Sequence, residues 1–150
     1  MKHLLRTTSE NADFRALVVL LDADLKIRDG DDHDFYNQFN KIDALRNAVV
    51  YYLDGRAVGC GAFRPFDAAT VEIKRMFVHP DVRGRGIAGE ILAELERWAA
   101  ASGFAACVLE TGKNQPEAIR LYQKSGFTAI PNYGPYAGID NSVCMKKSIG

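Results

Sequence analysis

Between residues 70 and 99 the spacing of hydrophobic positions changes from one period to another. Val71, Ile73 and Phe77 fall on one side of an alternating run, with Glu72, Lys74, Met76 and Val78 on the other. That two-residue period predicts a β-strand. Pro80 stops the ladder, because it has no N–H to donate. Further on, Ile87, Ala88, Ile91, Leu92, Leu95, Trp98 and Ala99 recur at helical spacing, and Glu90, Glu94, Glu96 and Arg97 lie off that stripe. The helix mouth is therefore Arg83-Gly84-Arg85-Gly86-Ile87-Ala88-Gly89. Small residues there let an anion approach the N–H groups at the positive end of the helix dipole. Strand, glycine loop and helix together predict a pyrophosphate cradle, and Arg83 and Arg85 suit phosphate geometry.

The remaining pattern supplies the other elements. Residues 3–8 predict an opening strand. Ser9 or Asn11 caps a helix whose stripe is Phe14, Leu17, Val18, Leu21 and Leu25. Arg28-Asp-Gly-Asp-Asp-His-Asp34 breaks that helix, and Phe35, Phe39 and Ile42 suggest a short second one. Two β-rich runs, Val49–Leu53 and Ala57–Phe63, flank Asp54-Gly55, a strong hairpin signal. After the central helix, Ser102-Gly103 ends the stripe, and Ala105–Leu109 predicts a strand parallel to the central one. Glu110–Asn114 opens another helix, with Pro116 in its first turn and Gly126 as its stop. Phe127–Ile130 and Ser142–Lys146 predict two closing strands around a Gly-, Pro- and Tyr-rich loop, residues 131–138, a candidate substrate wall.

Composition narrows the class. At 150 residues, the expectation is a single domain over 1–150 with a real core. Nineteen basic residues balance nineteen acidic ones, so no global field favours nucleic acid or an anionic membrane. No apolar run approaches a membrane span, and the first residues lack the apolar core of a signal peptide. Cys60, Cys107 and Cys144 are odd in number and sit in apolar surroundings, as buried free thiols of a reducing compartment would. The expected location is cytoplasmic, without a metal.

Which phosphate carrier fits the loop? Gly84-x-Gly86-x-x-Gly89 satisfies the dinucleotide fingerprint literally, with Glu110 near the ribose-binding position. The preceding strand is too charged for a strand buried on both faces, however. The glycines come five residues too late, and too few βα units follow. A Walker loop is excluded for want of Gly-Lys-Ser/Thr, and the aspartates of residues 29–34 do not match a calcium loop. That acidic turn is either solvated or a lip that favours a cationic amine.

Arg83-x-x-Gly86-x-Ala88 resembles the acetyl-CoA signature Gln/Arg-x-x-Gly-x-Gly/Ala of the GNAT superfamily of N-acetyltransferases. The strand ending Met76-Phe-Val-His-Pro before it, and Asn114…Ala118-Ile-Arg-Leu-Tyr122…Gly126-Phe127 after it, are similar to the same family. The match covers roughly residues 50–147. The resemblance implies an α+β fold: a mixed, mainly antiparallel sheet of about six to seven strands with helices on both faces. It implies acetyl-CoA as cosubstrate and an amine acceptor, with no nucleic acid or membrane partner, and leaves a homodimer open.

Acetyl transfer to an amine needs a group to take the amine's proton, donors at the carbonyl oxygen and a proton for the departing thiolate. By resemblance, Glu72 is the candidate base and Tyr122 the candidate acid. Backbone N–H groups of Phe77 and Val78 would meet the pantetheine arm and the acetyl carbonyl. Arg83, Gly84, Arg85, Gly86, Ile87 and Ala88 would hold the pyrophosphate, and Asn114 would hydrogen-bond the pantetheine. Ala88 stands where glycine is commoner. Each has a structural alternative: a Glu72–Lys74 salt bridge, a core aromatic at Tyr122, a helix cap at Asn114. The activity expected is N-acetyl transfer to a small primary amine such as an amino acid or polyamine. The alternatives are transfer to a peptide or protein amine, or a non-catalytic acyl-CoA-binding or regulatory module.

Overall fold

The computed structural model describes residues 1–30 and 44–150. The second helix expected at Phe35, Phe39 and Ile42, and the acidic lip at Asp31, Asp32 and Asp34, lie outside those residues. In chain order the described strands and α-helices are β1 (Lys2–Thr7), α1 (Ala12–Asp29), β2 (Asn47–Leu53), β3 (Arg56–Pro65), β4 (Thr70–Val78), α2 (Ile87–Ala101), β5 (Ala106–Gly112), α3 (Pro116–Lys124), β6 (Thr128–Ile130) and β7 (Ser142–Ser148).

The strands form one sheet in the order β1-β2-β3-β4-β5-β7-β6. Every neighbouring pair is antiparallel except β4 and β5, which are parallel and joined through α2. The hairpin at Asp54-Gly55 forms as its sequence predicts, with φ 52° and 81°, the positive values that match the twist of the strands. Asn11 caps α1 by accepting from Phe14 N at 2.9 Å. Ser9, the other candidate cap, is buried and instead exchanges hydrogen bonds with the backbone of Leu45. One expected boundary is wrong. Glu110–Gly112 do not open a helix but extend β5, because Glu110, Thr111 and Gly112 pair with Cys144, Val143 and Ser142. Among the described residues, no helix is long and apolar enough to cross a membrane.

Two apolar layers sandwich the sheet. Phe14, Leu17, Val18 and Leu21 of α1 pack over Val50, Cys60, Ala62 and Phe77. On the opposite face, Ile87, Ile91, Leu92 and Leu95 of α2 pack with Val49, Val58, Val71, Ile73 and Val78, and Tyr122 of α3 joins that cluster. Helix α2 packs closely on β3 where that strand presents glycine beneath it. A Cβ on Gly59 would lie 2.8 Å from Ile91 Cδ1, and one on Gly61 would lie 2.5 Å from Met76 Sδ and 2.9 Å from Leu95 Cδ1. Charged pairs tether the helix at both flanks: Arg6 Nε to Glu94 Oε2 at 2.7 Å from β1, and Lys147 Nζ to Glu96 Oε1 at 2.6 Å from β7.

Gly61→Val overpacks this contact. It should cost about 1–3 kcal/mol, the usual range for added volume in a filled core. Denaturant unfolding should show a lower midpoint with an unchanged slope, while Gly55→Ala, with nothing near its Cβ, tests backbone strain alone.

Candidate active site

The site begins with an irregularity in β4. Its register against β3 slips between Cys60 and Ala62, so that Cys60 faces Phe77 whereas Ala62 faces Lys74. The extra residue falls around Arg75, whose φ is 62°, and its carbonyl accepts from Cys60 Sγ at 3.4 Å. A bulge of this kind flips the alternation that follows it. The side-chain pattern expected from the sequence is therefore corrected. Phe77 joins the α1 layer, and Met76 and Val78 join Val71 and Ile73 against α2.

β4 also loses its parallel neighbour here. The β4–β5 ladder holds only at Thr70, Val71 and Glu72, so the strands part beyond Glu72. A cleft of about 390 Å³ opens at the parting, lined by Met76, Phe77, Val78 and the mouth of α2. Val78 turns its carbonyl toward this gap, where it accepts from Arg83 Nε at 2.8 Å. Phe77 turns its carbonyl toward β3, 3.2 Å from where a Gly59 Cβ would be. Of the two backbone candidates, Val78 is thus the one aimed into the gap. Alternation adds Met76, which shares a side of the strand with Val78 but was not among the residues the family resemblance named.

The mouth of α2 is open. Gly86 caps the helix at φ 79° without a side-chain hydrogen bond, and Gly84 has φ 82°. These values suit glycine, and a Cβ on Gly84, Gly86 or Gly89 would meet nothing within 4 Å. The first N–H groups of the helix are therefore left for an anion. Arg83, Gly84, Gly86, Ile87 and Ala88 line the cleft, and the Arg83 guanidinium lies 5.6 Å from the Phe77 ring centre. Arg85 is exposed beside it. Asn114 neither caps α3, whose cap residue is Gln115, nor lines the cleft; it donates to Arg28 O at 3.1 Å.

A second, polar cavity of about 110 Å³ adjoins the cleft and shares Leu21, Met76, Gln115, Ala118 and Tyr122 with it. Glu72 lies in its wall with 3% of its side chain exposed. Its Oε1 accepts from Arg64 Nε at 2.9 Å and its Oε2 from the Tyr133 hydroxyl at 2.7 Å. Burial, and then the Glu72 charge, hold the Tyr133 hydroxyl firmly protonated. Sequence reasoning did not find these two partners. Arg64 stands directly across the β3–β4 ladder from Glu72, a cross-strand charge pair visible once register is known. Tyr133 comes from the loop expected to form a substrate wall, and carries no local signal of its target.

Tyr122 stands where the two cavities meet, buried, its ring edge-on to Phe127 at 5.8 Å. Burial, with Glu110 adding, raises its hydroxyl well above the usual tyrosine range, so it remains a proton donor. Glu110, Lys74 and Arg75 complete the polar wall. Lys74 is lowered from its ordinary value by burial, against the pull of Glu72, while Arg64 and Arg75 add to the lowering.

A splayed sheet with a glycine-mouthed helix at the split is an architecture for holding an extended phosphate-bearing ligand across strand ends. The chain belongs to the acetyltransferase (GNAT) family, whose model matches residues 14–127. It is similar to the IAA acetyltransferase of Azospirillum brasilense, 41% identical over 102 residues and covering 67% of each chain. It is also similar to the uncharacterized N-acetyltransferase YjgM of Escherichia coli, 35% identical over 85 residues, or 55% of this chain and 50% of that one. These matches span between half and two thirds of those relatives' length. Among solved structures, a candidate acyl-CoA N-acyltransferase from Klebsiella pneumoniae superposes with TM-score 0.84 at 30% identity, covering 100% of this chain and 99% of that one. A GNAT family acetyltransferase from Elizabethkingia anophelis with acetyl-CoA bound shares the fold at TM-score 0.70 and 18% identity, covering 98% and 97%.

None of the three cysteines suits a covalent acyl carrier. All are free and buried, and burial pushes Cys60 and Cys107 from an ordinary 9.0 up to about 12. Because the folded values exceed the unfolded ones, their contribution to stability is intact below pH 9 and is lost as pH rises toward about 12. A thiol reagent at pH 8 should therefore leave Cys60 and Cys107 unmodified over the time in which the denatured chain reacts fully; mass spectrometry of each peptide reads this.

Proposed function

We propose that this protein is an acetyl-CoA-dependent N-acetyltransferase that acetylates a small primary amine, such as an amino acid or polyamine, by direct attack in a ternary complex. One observation carries the reading: an anion-ready cleft and a polar cavity holding a carboxylate meet at a single protonated tyrosine, Tyr122. The residues present fit the cosubstrate. The uncapped N-terminus of α2 and the open glycines would take its pyrophosphate, with Arg83 and Arg85 adding charge. The unpaired stretch of β4 would take its pantetheine arm. Relatives named N-acetyltransferases, and a neighbour of the same fold with acetyl-CoA bound, support that assignment.

Bound acetyl-CoA supplies a thioester whose acetyl group passes to the amine nitrogen as the C–S bond breaks and CoA leaves as a thiolate. In this reading Glu72 receives the proton the amine must shed, directly or through a water. Its two hydrogen bonds leave acceptor capacity, since a carboxylate offers about four lone-pair sites. Arg64 and Tyr133 hold it in place. The Val78 and Met76 N–H groups face the gap in which charge develops on the carbonyl oxygen. Tyr122 gives its proton to the thiolate. Holding both reactants together removes the need for a covalent intermediate.

Glu72→Gln keeps shape but removes the acceptor, and turnover should fall by about a hundredfold to ten-thousandfold, the usual worth of general acid–base help. Tyr122→Phe should lower turnover while leaving thermal stability nearly unchanged. Acetyl-CoA affinity should survive in both variants. Normal turnover in both would leave only a binding module; a large stability loss in Tyr122→Phe would favour a purely structural aromatic.

The cradle has its own test. Gly86→Glu places an anion and a disfavoured φ in the helix mouth, and calorimetry should show acetyl-CoA binding lost with far-UV circular dichroism unchanged. Retained affinity would rule the cradle out.

A further inference from the structure

The wall of the polar cavity carries charges of both signs. Glu72 and Glu110 face it as carboxylates, and Lys74 and Arg75 as cations. Arg75 is the unusual one. Its side chain is 2% exposed, yet among the described residues its direct ion pair is a single contact, Nη1 to Asp22 Oδ1 at 2.8 Å, the Asp22 side chain being 40% exposed. Among the described residues, its buried Nε has no hydrogen-bond partner. A buried cationic donor left unmatched is costly, and such groups are normally satisfied.

The backbone makes the choice of residue stranger still. Arg75 sits at φ 62°, where glycine would be cheapest and a long side chain carries strain. Outliers of this sort persist only where the surrounding structure holds them, and they cluster at functional sites. The bulge brings Arg75 into the cavity wall beside Lys74, three residues along β4 from Glu72, which lines the same cavity. Arg75 lines the cavity, and a planar guanidinium is a geometric match for a planar carboxylate. The lowering of Lys74 by burial, with Arg64 and Arg75 adding to it, points the same way, because an anion docked there would relieve it.

We propose that Arg75, assisted by Lys74, forms a carboxylate-binding subsite, so that the acceptor is a zwitterionic amine of the amino-acid class rather than a polyamine. The acceptor's amine then lies toward Glu72 and its carboxylate toward Arg75, each group meeting a wall charge of opposite sign. A polyamine would bring a second cation against Lys74 and Arg75. This subsite rests on the acetyl-transfer reading for its use, but not for its existence.

The test compares, on the full-length protein with acetyl-CoA, standard L-amino acids with their carboxamides and with the matched amines lacking the carboxyl group. Thiol release gives kcat and KM. In parallel, calorimetry on CoA-loaded protein compares N-acetyl-amino acids with their carboxamides. The carboxylates should be favoured by about tenfold to a hundredfold, the worth of a charge-assisted hydrogen bond. Arg75→Gln should erase that preference, read as a loss of the carboxylate-over-carboxamide ratio in KM. If Arg75→Gln does not fold, Lys74→Gln, at a less buried position, should reduce the preference, and the wild-type comparison stands alone. Amines or carboxamides used as well as carboxylates would overturn the subsite and leave acetyl transfer intact. Tighter binding of N-acetyl-amino acids without thiol release from any acceptor would uphold the subsite and sink the transfer reading. No turnover and no binding preference would overturn the subsite as well.

Discussion

The structure depends on one break in an otherwise regular sheet: β4 and β5 stay paired only as far as Glu72. Backbone groups left without a ladder are normally expensive, and a sheet rarely exposes them in its middle. Here the exposure is what makes a cleft. The bulge at Arg75, just past the last ladder pair, reorients Met76 and Val78, and the helix that connects the parted strands begins at the mouth of the same gap. Cleft, cavity and helix terminus are three consequences of one separation.

The polar cavity is held by contacts distant in sequence. Glu72 is pinned from β3 by Arg64 and from the C-terminal loop by Tyr133, whose ring also packs edge-on against Phe66 at 5.0 Å and Tyr136 at 5.8 Å. A carboxylate this buried would be unstable alone; the charge-assisted bonds make the position tenable. The loop is therefore more than a wall. It fixes the rotamer of the group on which the proposed chemistry turns.

Much of the fold was legible because local signals agreed with one another. Asp54-Gly55 between apolar runs, Pro80 after an alternating strand, and Gly103 and Gly126 at helix ends each name their own geometry. The glycine loop between strand and helix located the cleft for the same reason. What stayed hidden was non-local. Nothing around Arg75 announces a bulge, since the residue that would advertise one is glycine, and so the faces of Met76, Phe77 and Val78 were misassigned. Glu110 looked like the start of a helix because its strand is defined by pairing with Cys144, 34 positions later. Arg64 and Tyr133 reach Glu72 only through tertiary register. Gly59 and Gly61 passed as ordinary strand residues, although their missing side chains are what seat α2.

The position of β7 has a consequence for how the molecule is made. This strand is the last described element in the chain, yet it lies inside the sheet, between β5 and β6. During synthesis the earlier strands must wait with the edge of β5 bare until residue 148 clears the ribosome. Sheets closed by such long-range insertion fold slowly, and their unpaired edges invite association meanwhile. A nascent chain stalled before Ser142 would hold the glycine mouth and most of the core but leave Glu110 and Leu109 on an open edge. The last seven-residue strand is thus what separates a closed sheet from an open edge that can template aggregation.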